Sequence, residues 1–144
     1  MAKQIYFFCG GDADGDGSMK ALLGGKGANL AEMSKIGLPV PPGFTLSTQL
    51  CLDYQSSGRL PEGLMSQVRA TMERLEAQTQ KTFGRGENPL LVSVRSGAAV
   101  SMPGMMDTVL NLGLNLEVRD ALEKLSGSAR FARDSHRRFI QMFA

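Results

Sequence analysis

The sequence predicts an α+β fold in which a small β-sheet is packed with helices. Three observations carry that prediction. Long stretches repeat apolar residues every three or four positions, three short runs are rich in β-branched and aromatic residues, and Gly, Pro, Ser and Asn punctuation separates them. Of the 144 residues 42% are hydrophobic and 21% charged, the balance of one domain with a core rather than of a disordered or collagen-like polymer.

Residues 4–9 form a β-prone run that stops at the Gly10-Gly11 pair, and residues 12–19 are polar and Gly/Asp-rich. A first strand and then a loop are expected. From Gly27 onward Leu30, Met33 and Ile36 recur at helical spacing until Gly37 and Pro39 give a stop, so a short helix should follow directly on Gly24-Gly25-Lys26-Gly27. Val40-Pro41-Pro42-Gly43-Phe44-Thr45-Leu46 is extended, because a residue before proline is pushed away from the α region. Ser47 or Thr48 then caps a helix reaching about Ser56. The longest helix has Pro61 in its first turn and Leu64, Val68, Met72, Leu75, Thr79 and Phe83 along one face before Gly84 ends it. Its opposite face (Arg69, Glu73, Glu76, Gln80) is polar, as on a helix packed over a core. Residues 90–95 read as a buried strand ending on an arginine, residues 97–107 as a Gly- and Met-rich loop, and residues 108–112 as a second strand. Asn115 caps a helix to about Leu125 with Gly127 as its stop, and Ser128 opens a last helix. In that helix Phe131, Ser135, Phe139, Met142 and Phe143 form a stripe still running at Ala144, so the natural polypeptide is expected to be longer.

Charge excludes some functions. Sixteen basic and fourteen acidic residues leave a formal +2, too little to attract nucleic acid or anionic lipid in bulk. Cys9 and Cys51 make neither a metal spacing nor a disulfide framework, so the cytoplasm is the default compartment. No apolar run approaches the ~20 residues of a membrane span, and the N-terminus lacks the charged and apolar regions of a signal peptide. The chain is therefore expected to be neither exported nor anchored.

Few constellations could carry chemistry. Asp12, Asp14, Asp16 and Gly17 match the first half of an EF-hand loop, but its twelfth position, which needs a bidentate Glu, is Leu23; a solvated loop is the better reading. Gly24-Gly25-Lys26-Gly27 at a helix start suits an anion, since glycines let backbone N–H groups approach it and the lysine adds charge. It is neither a Walker A loop, which needs Gly where Lys20 stands, nor a dinucleotide fingerprint, whose last glycine is replaced by Leu30. A plain glycine turn remains open there. Arg95, followed by Ser96-Gly97, suits a phosphate through its planar fork; the competing reading is a buried arginine paired with an acid such as Asp107. Ser101-Met102-Pro103-Gly104-Met105-Met106-Asp107-Thr108 is apolar and hinged, fit either to plug a core or to close over a ligand. His136 has no orienting partner in sequence and reads as a helix-surface histidine. Arg130, Arg133 and Arg137 share a face with Asp134, either solvated or a docking surface.

Taken together, the blocks Leu22-Leu23-Gly24-Gly25-Lys26-Gly27-Ala28-Asn29-Leu30-Ala31-Glu32-Met33, Gly37-Leu38-Pro39-Val40-Pro41-Pro42-Gly43-Phe44, Val92-Ser93-Val94-Arg95-Ser96-Gly97-Ala98 and residues 101–115 closely resemble the N-terminal nucleotide-binding region of the pyruvate, phosphate dikinase family. The resemblance implies the first subdomain of an ATP-grasp fold over residues 1–144, with the remainder of the enzyme absent. It implies a reaction that converts ATP, phosphate and pyruvate to AMP, diphosphate and phosphoenolpyruvate through a histidine on another domain. Carried over by position, Lys26 and Arg95 are the catalytic and phosphate-binding cations, with Gly25, Gly104, Met105 and Met106 beside the phosphates. The family's Mg²⁺ ligands, pyruvate site and carrier histidine are expected outside this chain, which alone should be inactive; the full enzyme is expected to be a homodimer. His136 lacks the Thr-Ser-His context of the carrier and does not inherit its role. The alternatives are a phosphoenolpyruvate synthase-type phosphotransferase, which usually diverges in the Met-Pro-Gly-Met-Met loop, and a stand-alone nucleotide-binding or regulatory module.

Overall fold

The computed structural model describes residues 2–97 and 108–144. Helices and short strands alternate in an α+β arrangement that divides into two compact units. The first contains the described residues up to Gln78 together with Gly97, and the second contains residues 79–96 and 108–144.

In the first unit β1 (Ile5–Cys9) is the centre of a three-stranded antiparallel sheet, between β2 (Asp12–Ala13) and β3 (Gly43–Leu46). Gly10 and Gly11 both have positive φ (49° and 89°) and join Cys9 to its partner Asp12, the two-residue turn whose twist matches that of paired strands. The region expected to be only a loop therefore begins with a strand, and the Gly-Gly pair was its signal. Tyr6, Phe7 and Phe8 are consecutive and all buried, at 8%, 4% and 7% exposure. Successive strand residues point to opposite faces, so β1 is covered on both sides. Tyr6 packs with Leu23 and Ala28 of α1 (Lys20–Lys35), while the Arg74 guanidinium of α3 (Leu64–Thr79) lies 4.0 Å from the centre of the Phe7 ring.

The helix α1 is broken at Gly24, whose φ of 70° and ψ of 167° belong to a backbone region essentially reserved for glycine. After that kink the helix resumes where the glycine pattern placed its start. Its buried face is Gly27, Ala28, Ala31 and Ser34, whereas Ile36 of the expected stripe is 64% exposed. Small residues win that face because the helix lies very close to the sheet: a Cβ on Gly27 would stand 2.7 Å from the Thr45 methyl. The helix stops as Gly37 N–H donates to Ser34 O and Leu38 N–H to Met33 O, the paired bonds of a Schellman ending. Ser47 precedes α2 (Thr48–Ser57) as expected, yet its side chain makes no cap bond and its buried Oγ has no hydrogen-bond partner.

The helix α3 ends at Thr79 and does not run on to Gly84. Gln80 takes a left-handed φ of 56°, Asn88 Nδ2 donates to its carbonyl oxygen at 2.9 Å, and Phe83 leaves the helical stripe for a strand. In the second unit that strand, β4 (Thr82–Phe83), runs parallel to β5 (Pro89–Leu90), and the Phe83 ring packs so tightly on Gly113 that a Cβ there would meet it at 2.8 Å. Phe83 is thus claimed by a tertiary contact, which overrides its helical spacing. Residues 90–95 are likewise not one buried strand. Leu91 belongs to no strand, and β6 (Val92–Arg95) pairs antiparallel with β7 (Thr108–Leu112) through an irregular register between Val92 and Val94. Val94 is 46% exposed and Arg95 is exposed as well, so neither face of the strand is buried at its end.

The core of this unit is Leu90, Leu114, Val118, Ala121 and Ala132. Asn115 Oδ1 accepts from Val118 N at the start of α4 (Leu116–Ser126), and Ser128 Oγ accepts from Phe131 N at the start of α5 (Ala129–Phe143), both as the capping signals foretold. In α5 the small Ala132 is buried, while Phe131 and Phe143 of the expected apolar stripe are more than half exposed. The predicted loop 97–107, with Gly104, Met105, Met106 and the suggested acid Asp107, lies outside the described residues except for Gly97.

Candidate phosphate-binding site

Lys26 stands in the first turn of the helix resumed after Gly24, and its side chain is exposed. Gly25 beside it is half-buried, and Gly27 is buried against Thr45. The three glycines around Lys26 therefore do different things: Gly24 supplies the kink, Gly25 separates the kink from the lysine, and Gly27 permits close packing. Gly97 lies near the same lysine, since a Cβ built on it would be 3.9 Å from Lys26 Cβ. Thr48 Oγ1 donates to Ala21 O at 2.7 Å, so β3 and the start of the next helix reach both flanks of the turn, Gly27 through Thr45 and Ala21 through Thr48. Sequence reasoning missed both threonines, because contacts between residues so far apart along the chain leave no local pattern.

Arg95 is the last residue of β6 in the second unit, opposite Thr108 of β7. Its exposed guanidinium is not the buried arginine that the competing reading required.

The acidic stretch is used structurally. Asp14 Oδ2 accepts from Phe7 N–H at 2.8 Å and lies 3.1 Å from Lys3 Nζ. Partial burial pushes its pKa up, but the Phe7 hydrogen bond, Lys3 and the Arg74 charge outweigh this and hold the carboxyl below its ordinary value. Asp16 is held low by hydrogen bonds from the Ser18 hydroxyl and backbone N–H, and helped by Lys35. Among the described residues no group of three or more His, Cys, Asp or Glu could hold a metal ion. An open hollow of about 300 Å³ beside the first hairpin is lined by Phe7, Asp12, Asp14, Arg74 and Gln78, with Cys9 Sγ 3.5 Å from Gln78 Oε1. On α5, Asp134 holds Arg137 at 2.8 Å and Arg138 at 2.9 Å; the Arg137 hydrogen bond first, against slight desolvation, lowers its pKa. His136 is half-buried on the same helix. No helix among the described residues is long and apolar enough to cross a membrane.

Residues 20–73, which include the glycine turn, match the family model described as pyruvate phosphate dikinase, AMP/ATP-binding domain. Nearly the whole chain aligns with named dikinases: it is 59% identical over 142 residues (98% of this chain) to pyruvate, phosphate dikinase of Entamoeba histolytica and 58% over 144 residues (99%) to that of Rhizobium meliloti. Over nearly its whole length the chain is thus similar to part of pyruvate, phosphate dikinase. Pyruvate, phosphate dikinase 1, chloroplastic, of Zea mays is 57% identical over 142 residues, 98% of this chain. The chain spans about 16% of the length of the first two relatives and 15% of the maize protein.

Proposed function

We propose that this chain is the first part of an ATP-grasp nucleotide-binding domain in a cytoplasmic, homodimeric enzyme converting ATP, phosphate and pyruvate to AMP, diphosphate and phosphoenolpyruvate. In this reading Lys26 and Arg95 bind the ATP phosphates, Gly25 allows the backbone to approach them, and the loop holding Gly104, Met105 and Met106 lies next to the transferred groups. The observation that carries it is the exposed Lys26 on a helix resumed from a glycine-only kink, within the stretch matching the AMP/ATP-binding model. ATP offers clustered negative charge, and protein groups accelerate phosphoryl transfer mainly by positioning it and neutralising it. The described residues do not fit a magnesium site, so no step is assigned to the metal here; its ligands, the pyruvate site and the carrier histidine are proposed to lie elsewhere in the enzyme. The 144-residue chain alone is then inactive.

The test is exchange through the ATP half-reaction in the full-length enzyme with Lys26→Ala and Arg95→Ala. Each substitution is expected to slow exchange by about 100-fold, the usual cost of losing a preorganised charge-stabilising donor. Rates within a fewfold of the parent for both variants would overturn the assignment.

A further inference from the structure

We propose that Thr45 and Thr48 are positioning residues for ATP: together they clamp the glycine turn that presents Lys26. The inference rests on the reading of Lys26 given above. A turn containing Gly24 and Gly25 is conformationally free in itself, so a lysine carried on it holds a fixed place only if something outside the turn restrains both ends. The two threonines supply those restraints. Thr48 Oγ1 donates to Ala21 O at 2.7 Å, three residues before the kink. On the other side, the Thr45 methyl and hydroxyl would stand 2.7 Å and 3.1 Å from a Cβ on Gly27, so Thr45 abuts the resumed helix directly.

Thr45 is held by β1 itself, and the residue before Thr48 by the residue just ahead of β1. Thr45 pairs with Tyr6 in the β1–β3 register, and Ser47 N–H, next to Thr48, donates to Gln4 O at 2.9 Å. Ser47 holds the capping position before α2 and makes no side-chain cap bond, while Thr48, the first residue of the helix, sends its hydroxyl to α1 and tethers it.

In the full-length enzyme Thr48→Val, which keeps the shape and removes the donor, should raise KM for ATP about fivefold in the half-reaction with kcat nearly unchanged. That is the equilibrium worth of one ordinary hydrogen bond expressed as ground-state binding. Thr48→Ser restores the donor and should return KM to the parent value. Thr45→Ser, which removes only the methyl against Gly27, should also raise KM and serves alone if the valine variant fails to fold. Thermal melting run alongside separates the roles: a lowered melting temperature with unchanged KM in Thr48→Val or Thr45→Ser overturns the proposal, as does a serine variant at position 48 as impaired as the valine one. If Lys26→Ala leaves the half-reaction intact, the site assignment fails first; if Lys26→Ala is damaging and the threonine variants keep parental KM, only the clamp is refuted.

Discussion

Gly27→Ala sets two calculable effects against each other. Alanine is favoured over glycine inside a helix by about 1 kcal/mol, so an exposed site would gain stability. At position 27 the added Cβ would stand 2.7 Å from the Thr45 methyl and 3.3 Å from Leu23 Cβ, where ordinary contact begins near 3.4 Å. Thr45 cannot retreat freely, since β3 is paired to β1 from Ile5↔Leu46 to Phe8↔Gly43. Overpacking of this kind costs about 1–3 kcal/mol. The clash should therefore win, leaving the variant less stable by about 1 kcal/mol. Urea denaturation of the chain followed by circular dichroism measures this. Thr45→Ser removes the nearest atom, so the double variant should recover part of the loss, with a coupling of at least about 0.5 kcal/mol, as expected for residues in contact. A Gly27→Ala chain more stable than its parent, or strict additivity of the two substitutions, would refute the packing argument and with it one arm of the proposed clamp.

Two other outcomes follow from the geometry. Asn115→Ala should destabilise the chain by about 1–2 kcal/mol, because it removes the cap on Val118 N together with the 2.7 Å bond from Nδ2 to Gly84 O; Asn115→Ser should fall between, and a midpoint unchanged in Asn115→Ala would contradict the assignment. Asp14 has a folded pKa below 3.8, so the unfolded chain binds the proton more readily and the carboxylate stabilises the fold above about pH 4. That contribution is lost as pH falls through the folded value. The denaturation midpoints of the parent and Asp14→Asn should thus differ at pH 7 and converge as acid protonates the folded carboxyl, and a gap independent of pH would count against the interaction.

What could be read from the sequence was whatever is written locally. The caps at Asn115 and Ser128, the stop at Gly127 and the helix resumed after Gly24 depend on residues within a few positions of one another, and all are present. Errors fell where distant residues compete. Phe83 continues the spacing of α3, but Gly113 offers it a packing site and Gln80 turns the chain away. Val94 looked buried because apolar strand runs usually are, yet a two-stranded ribbon has too few neighbours to cover it. Of the residues proposed to bind phosphate, Lys26 was marked by its glycines and Arg95 by its strand; the threonines proposed to hold the turn carry no such mark. The hairpin at Gly10-Gly11 is written locally as well, in two adjacent glycines of positive φ, although the Asp-rich residues after it have the composition of a loop.

The aromatic triplet in β1 bears on how that strand finds its alignment. Sliding a strand by one position normally exposes its greasy side and is punished, but Tyr6, Phe7 and Phe8 look alike to both layers, so a one-step slip would still bury an aromatic ring above and below. Alignment must then be stored elsewhere. The tight Gly10-Gly11 reversal and the grip of Asp14 on the Phe7 amide are the two features that count residues, and they lie within seven positions of each other. This strand carries its address in a bend and a carboxylate, and its rings supply only adhesion.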